Sequence, residues 1–124
     1  NYLRKSIEFA EKMIEKFSAE RYSDLWRGLG IAITYVGGCG EVALQEILTN
    51  AEQYQTQLAT GCVMATISRF NAGYIPDDTM IICKLFCNRT AKDLVANFKP
   101  ISNLLSSNSD SVYQNWISKI EHSF

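Results

Sequence analysis

Apolar residues recur at intervals of three and four along most of the chain, which is the spacing of one face of an α-helix. In the first segment this face carries Leu3, Ile7, Ala10, Ile14 and Phe17, while charged residues occupy the other side. The last segment repeats the pattern at Tyr113, Trp116, Ile117, Ile120 and Phe124. No stretch of the sequence shows the sustained alternation of a strand. The pattern predicts an all-α fold of about six to seven helices in antiparallel hairpins.

The helices between these two segments are bounded by glycine and proline. A glycine-rich run at 37–40 ends one helix, because glycine readily adopts left-handed backbone. Gly73 ends another, and Pro76 prevents its continuation. The helix before Gly73 is apolar on more than one side, which predicts a central position. The predicted helices span about 24–36, 41–54, 56–72, 80–87 and 91–98.

Polar residues mark where the later helices begin. Asp77 or Asp78 is expected to cap the helix over 80–87, since both stand directly before it. Thr90 and Asp93 have the spacing of a capping box, which opens the following helix. That helix is expected to end before Pro100. Residues 102–110 are rich in serine and asparagine and are predicted to form a loop.

A weak internal repeat suggests how the helices are arranged. Residues of the same or similar type are separated by 33 positions in four pairs: Leu25 and Leu58, Gly28 and Gly61, Ala32 and Ala65, Gly40 and Gly73. Tetratricopeptide-type hairpins have a period of about 34 residues. Small residues in the middle of such helices let two backbones approach closely. This predicts a TPR-like, α-solenoid-like arrangement with capping helices; chance agreement among common residues is the alternative.

Composition and charge exclude several classes of protein. The chain has 124 residues, which predicts one domain over 1–124. Its formal net charge is -1, so the basic excess of a nucleic-acid-binding protein is missing. Glycines interrupt the longest apolar stretch, 31–42, which is too short to span a bilayer. The chain begins at Asn1 without a signal-like segment, so we expect a soluble piece of a longer protein.

Four cysteines, Cys39, Cys62, Cys83 and Cys87, admit three interpretations. Cys83 and Cys87 share a helix face, but the Cys-x-x-Cys spacing of a zinc site is absent. A disulfide between Cys39 and one partner would require an oxidising compartment. Buried free thiols that pack as small apolar groups are the favoured interpretation. We expect no metal and no cofactor.

Catalytic motifs are not recognisable in the sequence. His122 stands at the end of the last helix, where the helix dipole favours an imidazolium, and a general-base role is less favoured. Asp77 and Asp78 resemble a paired-carboxylate site only superficially. An enzyme would require a cleft in which these residues or a cysteine converge with perturbed pKa values. The chain is therefore not expected to be an enzyme.

Binding is the favoured class of function. The first hypothesis is a helical interaction or scaffolding module for a protein partner, which predicts an exposed apolar patch. The second is a binder of a small apolar ligand, or of a polyketide or lipid intermediate, in a pocket between helices. The residues expected to line a groove for either kind of partner are Trp26, Tyr35, Val63, Ile67, Phe70 and Tyr74.

Several stretches between Tyr22 and Phe98 resemble a bacterial family of unknown function found in enediyne polyketide gene clusters. The resemblance is carried by the stretches 25–32 (LWRGLGIA), 35–38 (YVGG) and 58–65 (LATGCVMA), together with Cys83, Leu85 and Cys87. Members of that family are usually longer than this chain and have no established catalytic residues. The resemblance implies an accessory role in natural-product biosynthesis in a bacterial cytoplasm.

Overall fold

The computed structural model describes residues 2–102 and 110–124, and all of their regular elements are helical. Single 3₁₀ turns, Ala19–Arg21 and Glu52–Tyr54, lead into the second and fourth helices. The all-α prediction is confirmed. The α-helices in these residues are α1 (Tyr2–Glu15), α2 (Tyr22–Val36), α3 (Glu41–Ala51), α4 (Gln55–Asn71), α5 (Asp77–Cys87), α6 (Ala91–Ser102) and α7 (Asp110–Glu121).

Helix α4 forms the centre of the fold, as its apolar composition predicts. It packs against α2, α3, α5, α6 and α7. No charged residue occurs between Gln55 and Ser68, so this helix can be covered on several sides without burying a charge. Leu58, Cys62 and Val63 are completely buried within it. The hydrophobic core is therefore arranged around α4.

The closest packing in the described residues is the crossing of α2 and α4 at Gly30 and Gly61. A Cβ atom added to Gly61 would lie 2.1 Å from the carbonyl oxygen of Arg27. A Cβ atom added to Gly30 would lie 2.3 Å from the carbonyl oxygen of Leu58. The two helix backbones therefore touch directly at this crossing.

This crossing corrects part of the repeat interpretation. Gly61 is a point of close approach, as expected, but Gly28 is not: nothing lies within 4 Å of a Cβ built there, and Ala32 is also exposed. Gly30 occupies the contact instead. Each helical residue turns by about 100°, so Gly30 points roughly 200° away from Gly28, towards the opposite side of α2. The offset of 33 matched the wrong glycine of α2.

Buried threonines near the crossing satisfy their own hydroxyl groups. Thr34 donates to the carbonyl oxygen of Gly30, and Thr66 donates to that of Cys62, each at 2.8 Å. Thr60 donates to the carbonyl oxygen of Thr56 at the same distance. These bonds to residue i−4 let the core contain polar side chains without leaving a donor unpaired.

The glycine turns are confirmed, but one predicted cap is wrong. Gly37 and Gly73 have φ angles of +64° and +100°. Helix α5 has Pro76 as its N-cap, with no side-chain cap hydrogen bond. Asp78 lies inside the first turn, and its carboxylate accepts a hydrogen bond from the backbone N–H of Gly38 at 3.0 Å. Asp78 thus connects α5 to the turn after α2.

Helix α6 begins as predicted and continues further than predicted. The backbone N–H of Asp93 donates to the hydroxyl oxygen of Thr90 at 3.1 Å, which confirms the capping interaction. The helix continues through Pro100 to Ser102. A proline this close to the end of a helix removes one backbone donor, and few residues follow it. Residues 103–109 of the predicted loop lie outside the described residues.

Three residues of the terminal apolar stripes are exposed instead of buried. Phe17 follows the end of α1, and its side chain is not part of the core. Tyr113 packs at the edge of Trp116, with 6.0 Å between the ring centroids. The guanidinium carbon of Arg89 lies 5.0 Å from the centroid of the Phe124 ring.

None of the helices in the described residues is long and apolar enough to cross a membrane.

Candidate functional site

An apolar groove lies between the end of α4 and the helices α5 and α6. Its volume is about 370 Å³. We call it the α4–α6 groove; it is lined by Phe70, Ile75, Met80, Lys84, Thr90, Ala91, Lys92 and Val95. Large apolar side chains remain partly exposed in it, because no other element of the described residues covers them. Such a groove can hold an apolar group by excluding water.

Local sequence signals place each wall of this groove. Gly73 turns the chain after α4, so that Ile75 follows Phe70 at the base of the groove. Met80 and Lys84 are four residues apart in α5 and therefore share a helix face. The cap at Thr90 starts α6 opposite them. The groove thus depends on the short connections between α4 and α5 and between α5 and α6, which set how these three helices lie against one another.

The charged side chains in the lining are cationic. Lys84 comes from α5 and Lys92 from α6. Lys99 lies about two turns beyond Lys92 on the same face of α6. Its Nζ atom is 4.9 Å from the centroid of the Phe70 ring. No acidic side chain of the described residues is part of the lining. An apolar surface therefore carries an edge of positive charge.

Of the six residues predicted to line a groove, only Phe70 lines this one. Val63 and Ile67 are enclosed in the core, with exposed fractions of 0% and 2%. Neither side chain offers a ligand any surface, since α4 is covered by its neighbours on the sides that carry them. Tyr74 is largely exposed but is not part of the lining. The expectation that Val63 and Ile67 face a cavity is not met.

The two aromatic residues of α2 lie elsewhere. Trp26 is buried and lines a separate cleft of about 460 Å³, together with Glu11 of α1 and Asn50 of α3. The hydroxyl group of Tyr35 is hydrogen-bonded to that of Ser68. The guanidinium carbon of Arg69 lies 4.7 Å from the centre of the Tyr35 ring. The predicted residues are therefore divided among several surfaces and do not form one site.

Three of the four cysteines form a buried cluster around α4 and α5. The Sγ atoms of Cys62 and Cys83 are 3.9 Å apart, and the Thr66 hydroxyl lies 3.2 Å from Cys83 Sγ. The thiol of Cys87 donates to the carbonyl oxygen of Ala59 at 3.5 Å. All four cysteines are free, and Cys62, Cys83 and Cys87 are buried, as the thiol interpretation predicts.

The environment of this cluster disfavours thiolate chemistry. The hydrogen bond with Cys62, followed by burial, raises the pKa of the Cys83 thiol. For Cys62, the hydrogen bond with Cys83 lowers the pKa, but the contact with Cys87 and burial outweigh it and the net pKa is raised. A nucleophile or metal ligand would have to be a thiolate. Among the described residues, no group of three or more His, Cys, Asp and Glu side chains is arranged to hold a metal ion.

The remaining candidate catalytic residues do not converge. His122 lines a polar cleft of about 790 Å³ together with Arg89 and Lys119. Asp78 is at the turn after α2, near Cys39. Burial, assisted by the negative charge of Asp78, raises the pKa of the Cys39 thiol, so this pair also favours a neutral thiol.

Sequence reasoning found Phe70 but missed the rest of the α4–α6 groove. Met80 and Val95 are in the apolar stripes of two helices, and each stripe alone reads as core. The usable signal was the pair of lysines beside these stripes. Lys84 is at i+4 from Met80, and Lys92 is at i−3 from Val95. A cation beside an apolar stripe on two consecutive helices can indicate a groove between them.

Comparison with known protein families identifies the family of this chain. Residues 6–124 match the family described as "Protein of unknown function (DUF1702)". No curated protein and no solved structure matches the chain significantly. Because the family match extends over nearly the whole sequence, the chain belongs to the DUF1702 family.

Proposed function

We propose that this chain is a non-catalytic helical binding module that holds a small apolar molecule in the α4–α6 groove. The observation that carries the proposal is the combination of apolar lining and size. A volume of about 370 Å³ is within the range of roughly 300–1,000 Å³ that small-molecule sites occupy. Sequence analysis favoured a protein partner; the groove shifts the preference to a small ligand.

The energetic basis is the exposed apolar area in the groove. Phe70 and Met80 are 40% and 45% exposed although both belong to packed helices. A ligand that covers them gains about 25 cal/mol for each Å² of apolar surface removed from water. The buried lining residues Ala91 and Val95 form a fixed base, since they are packed on the core. The site is thus formed before the ligand arrives, which limits the entropic cost of binding.

The proposal can be tested with 1-dodecanol, a neutral apolar probe, by titration calorimetry. Met80→Glu places a carboxylate in the groove and is expected to weaken binding at least about tenfold, because the charge would have to be desolvated. Ile81→Glu is the matched control: Met80 and Ile81 are 45% and 41% exposed and adjacent in α5, but only Met80 lines the groove. Equal loss in both variants, or no binding by the unmodified chain, would contradict the proposal.

A protein partner is the second candidate, and exposed apolar residues on α1 and α2 favour it. Phe9 and Val36 are 66% and 65% exposed. A shallow apolar groove of about 210 Å³ runs between these helices and is lined in part by Val36. If this surface binds a protein, Val36→Ser should weaken that complex and leave 1-dodecanol binding unchanged, because Val36 lines this groove and not the α4–α6 groove.

The wider setting of the module is also a proposal. A TPR-like arrangement of two hairpins is part of this proposal, and the direct packing of α2 on α4 is compatible with it. The resemblance of the stretches 25–38 and 58–65 to the enediyne-associated family supports an accessory role in natural-product biosynthesis in the cytoplasm. In that role the module would bind an apolar intermediate without transforming it.

A further inference from the structure

We infer that the ligand of the α4–α6 groove is an amphipathic carboxylate, with a flexible apolar chain in the groove and its anionic head at the lysine edge. This inference rests on the proposed function, because it identifies the class of molecule that the same groove binds. Three observations carry it: the apolar lining, the sign of the charges beside it, and the kind of cation present.

The positive charges of the lining come from both α5 and α6. Lys84 and Lys92 are part of the lining and approach it from two different helices. Lys92, Val95 and Lys99 are at i, i+3 and i+7 of α6 and therefore share one face. Asp77, Asp78 and Asp93 balance the positive charges of the stretch 70–95, but none of these carboxylates is part of the lining, so the positive character is confined to the groove itself.

The lining lysines are not used by the fold as ion-pair partners. Within the described residues, the carboxylate ion pairs involve Arg4 and Arg27, and neither Lys84 nor Lys92 takes part in one. Both lysine side chains are exposed. Their methylene stems can lie along Met80 and Val95 while the ammonium groups stay in water, which extends the apolar surface up to the charge.

The type of cation suits an anionic head that stays in solvent. Lysine ammonium groups are compact point charges on flexible stems, so they can follow such a head without the fixed two-point geometry that the planar fork of arginine imposes. The lining contains two lysines and no arginine. A carboxylate at the edge can accept from either ammonium group without leaving solvent. A cationic head on the same chain would be repelled.

Calorimetry with three probes of equal chain length tests the inference on the full chain. Laurate, 1-dodecanol and dodecyltrimethylammonium share the apolar part and differ only in the charge of the head. We expect laurate to bind about tenfold more tightly than 1-dodecanol, since each exposed ion pair contributes about a two- to fivefold gain. The cation should bind most weakly. Each methylene added to a shorter carboxylate should tighten binding by about fourfold until the groove is full.

Paired lysine variants separate the head from the chain. Lys84→Gln combined with Lys92→Gln should abolish the preference for laurate over 1-dodecanol, because the ammonium groups that would pair with the carboxylate are removed. Lys5→Gln, on α1, combined with Lys16→Gln, directly after α1, changes the net charge equally and should have no such effect. Met80→Glu should weaken binding of laurate and of 1-dodecanol, because both would lie against a carboxylate that has to be desolvated.

The outcomes distinguish this inference from the proposed function. Equal affinities for laurate and 1-dodecanol, or an undiminished preference for laurate in the paired Lys84 and Lys92 variant, would overturn the carboxylate head while the apolar site survives. Absence of binding for every probe would overturn both. A further outcome is that laurate does not bind but anionic phospholipid vesicles do, in a manner that depends on Lys84 and Lys92. In that case the lysine edge contacts a membrane surface, and the inference is again overturned.

Discussion

Replacing Gly61 with alanine tests the direct contact between the backbones of α2 and α4. The added Cβ would lie 2.1 Å from the carbonyl oxygen of Arg27 and 2.8 Å from the backbone nitrogen of Ile31. Both atoms belong to the backbone of α2, so no side-chain rotation can relieve the overlap. The two helices must move apart by about 1 Å. A gap of that size forfeits roughly a quarter to a half of the dispersion attraction between the surfaces that it separates.

The net cost follows from two opposing terms. Overpacking a core costs about 1–3 kcal/mol, and a backbone clash at a helix crossing belongs at the upper end of that range. Alanine also improves the helix propensity over glycine by about 1 kcal/mol. We therefore expect Gly61→Ala to lower the free energy of unfolding by about 2 kcal/mol. Gly30→Ala, whose Cβ would lie 2.3 Å from the carbonyl oxygen of Leu58, should have a similar effect.

Gly28 provides the control for this experiment within the same helix. Nothing lies within 4 Å of a Cβ built at Gly28. Gly28→Ala is therefore expected to gain only the helix-propensity term and to stabilise the fold by about 0.5–1 kcal/mol. The double variant Gly30→Ala with Gly61→Ala should cost less than the sum of the single changes, because one separation of the helices relieves part of both overlaps.

Urea unfolding followed by circular dichroism measures these differences. Gly61→Ala and Gly28→Ala should move the unfolding midpoint in opposite directions with little change in the slope of the transition. If both substitutions raise the midpoint, the helices do not touch at Gly61, and the account of the α2–α4 crossing is wrong. Strict additivity of the Gly30 and Gly61 costs would also argue against a shared contact.

Two further outcomes follow from buried titratable groups. Burial, partly offset by a hydrogen bond with Asn50, raises the pKa of Glu11 above its model-compound value of 4.5. The charged carboxylate of Glu11 therefore lowers the stability of the fold above the raised pKa, and this cost is relieved as the pH falls through that pKa. Glu11→Gln should raise the urea midpoint at pH 7 but not at pH values below the unfolded pKa of about 4.3. Parallel pH profiles of the two proteins would refute this. In the native protein a thiol reagent should label Cys39 first and reach the three core cysteines only after unfolding. Cys39→Ser should remove the early phase of labelling. Early labelling of a second cysteine would contradict the burial of the cluster.

The helix positions were predictable because their signals are local. Gly73 ends α4 through its own backbone conformation, and Thr90 caps α6 through a bond to Asp93, three residues away. The central position of α4 was equally predictable from the sequence, since a helix with apolar residues on several sides must be covered on those sides. None of these inferences needs information about distant residues.

The glycine contact and the groove needed information that the sequence pattern does not contain. Gly28 and Gly30 both interrupt the same apolar helix, and only the orientation of α2 against α4 determines which one makes the contact. Likewise, Val63 and Phe70 belong to the same helix, but neighbouring helices cover the first and leave the second partly exposed. The exposure of an apolar side chain is decided by its neighbours in space, and these were not predictable from spacing.

The α4–α6 groove is built entirely from residues 70–95, a continuous stretch of chain with short connections. The α2–α4 crossing instead joins Gly30 and Gly61, with the whole of α3 between them in the sequence. Short-range contacts close small loops and form quickly, whereas longer loops cost more entropy to close. The groove can therefore assemble early during folding. Substitutions in α1 to α3 can therefore alter the stability of the protein while every residue of the proposed binding site stays unchanged.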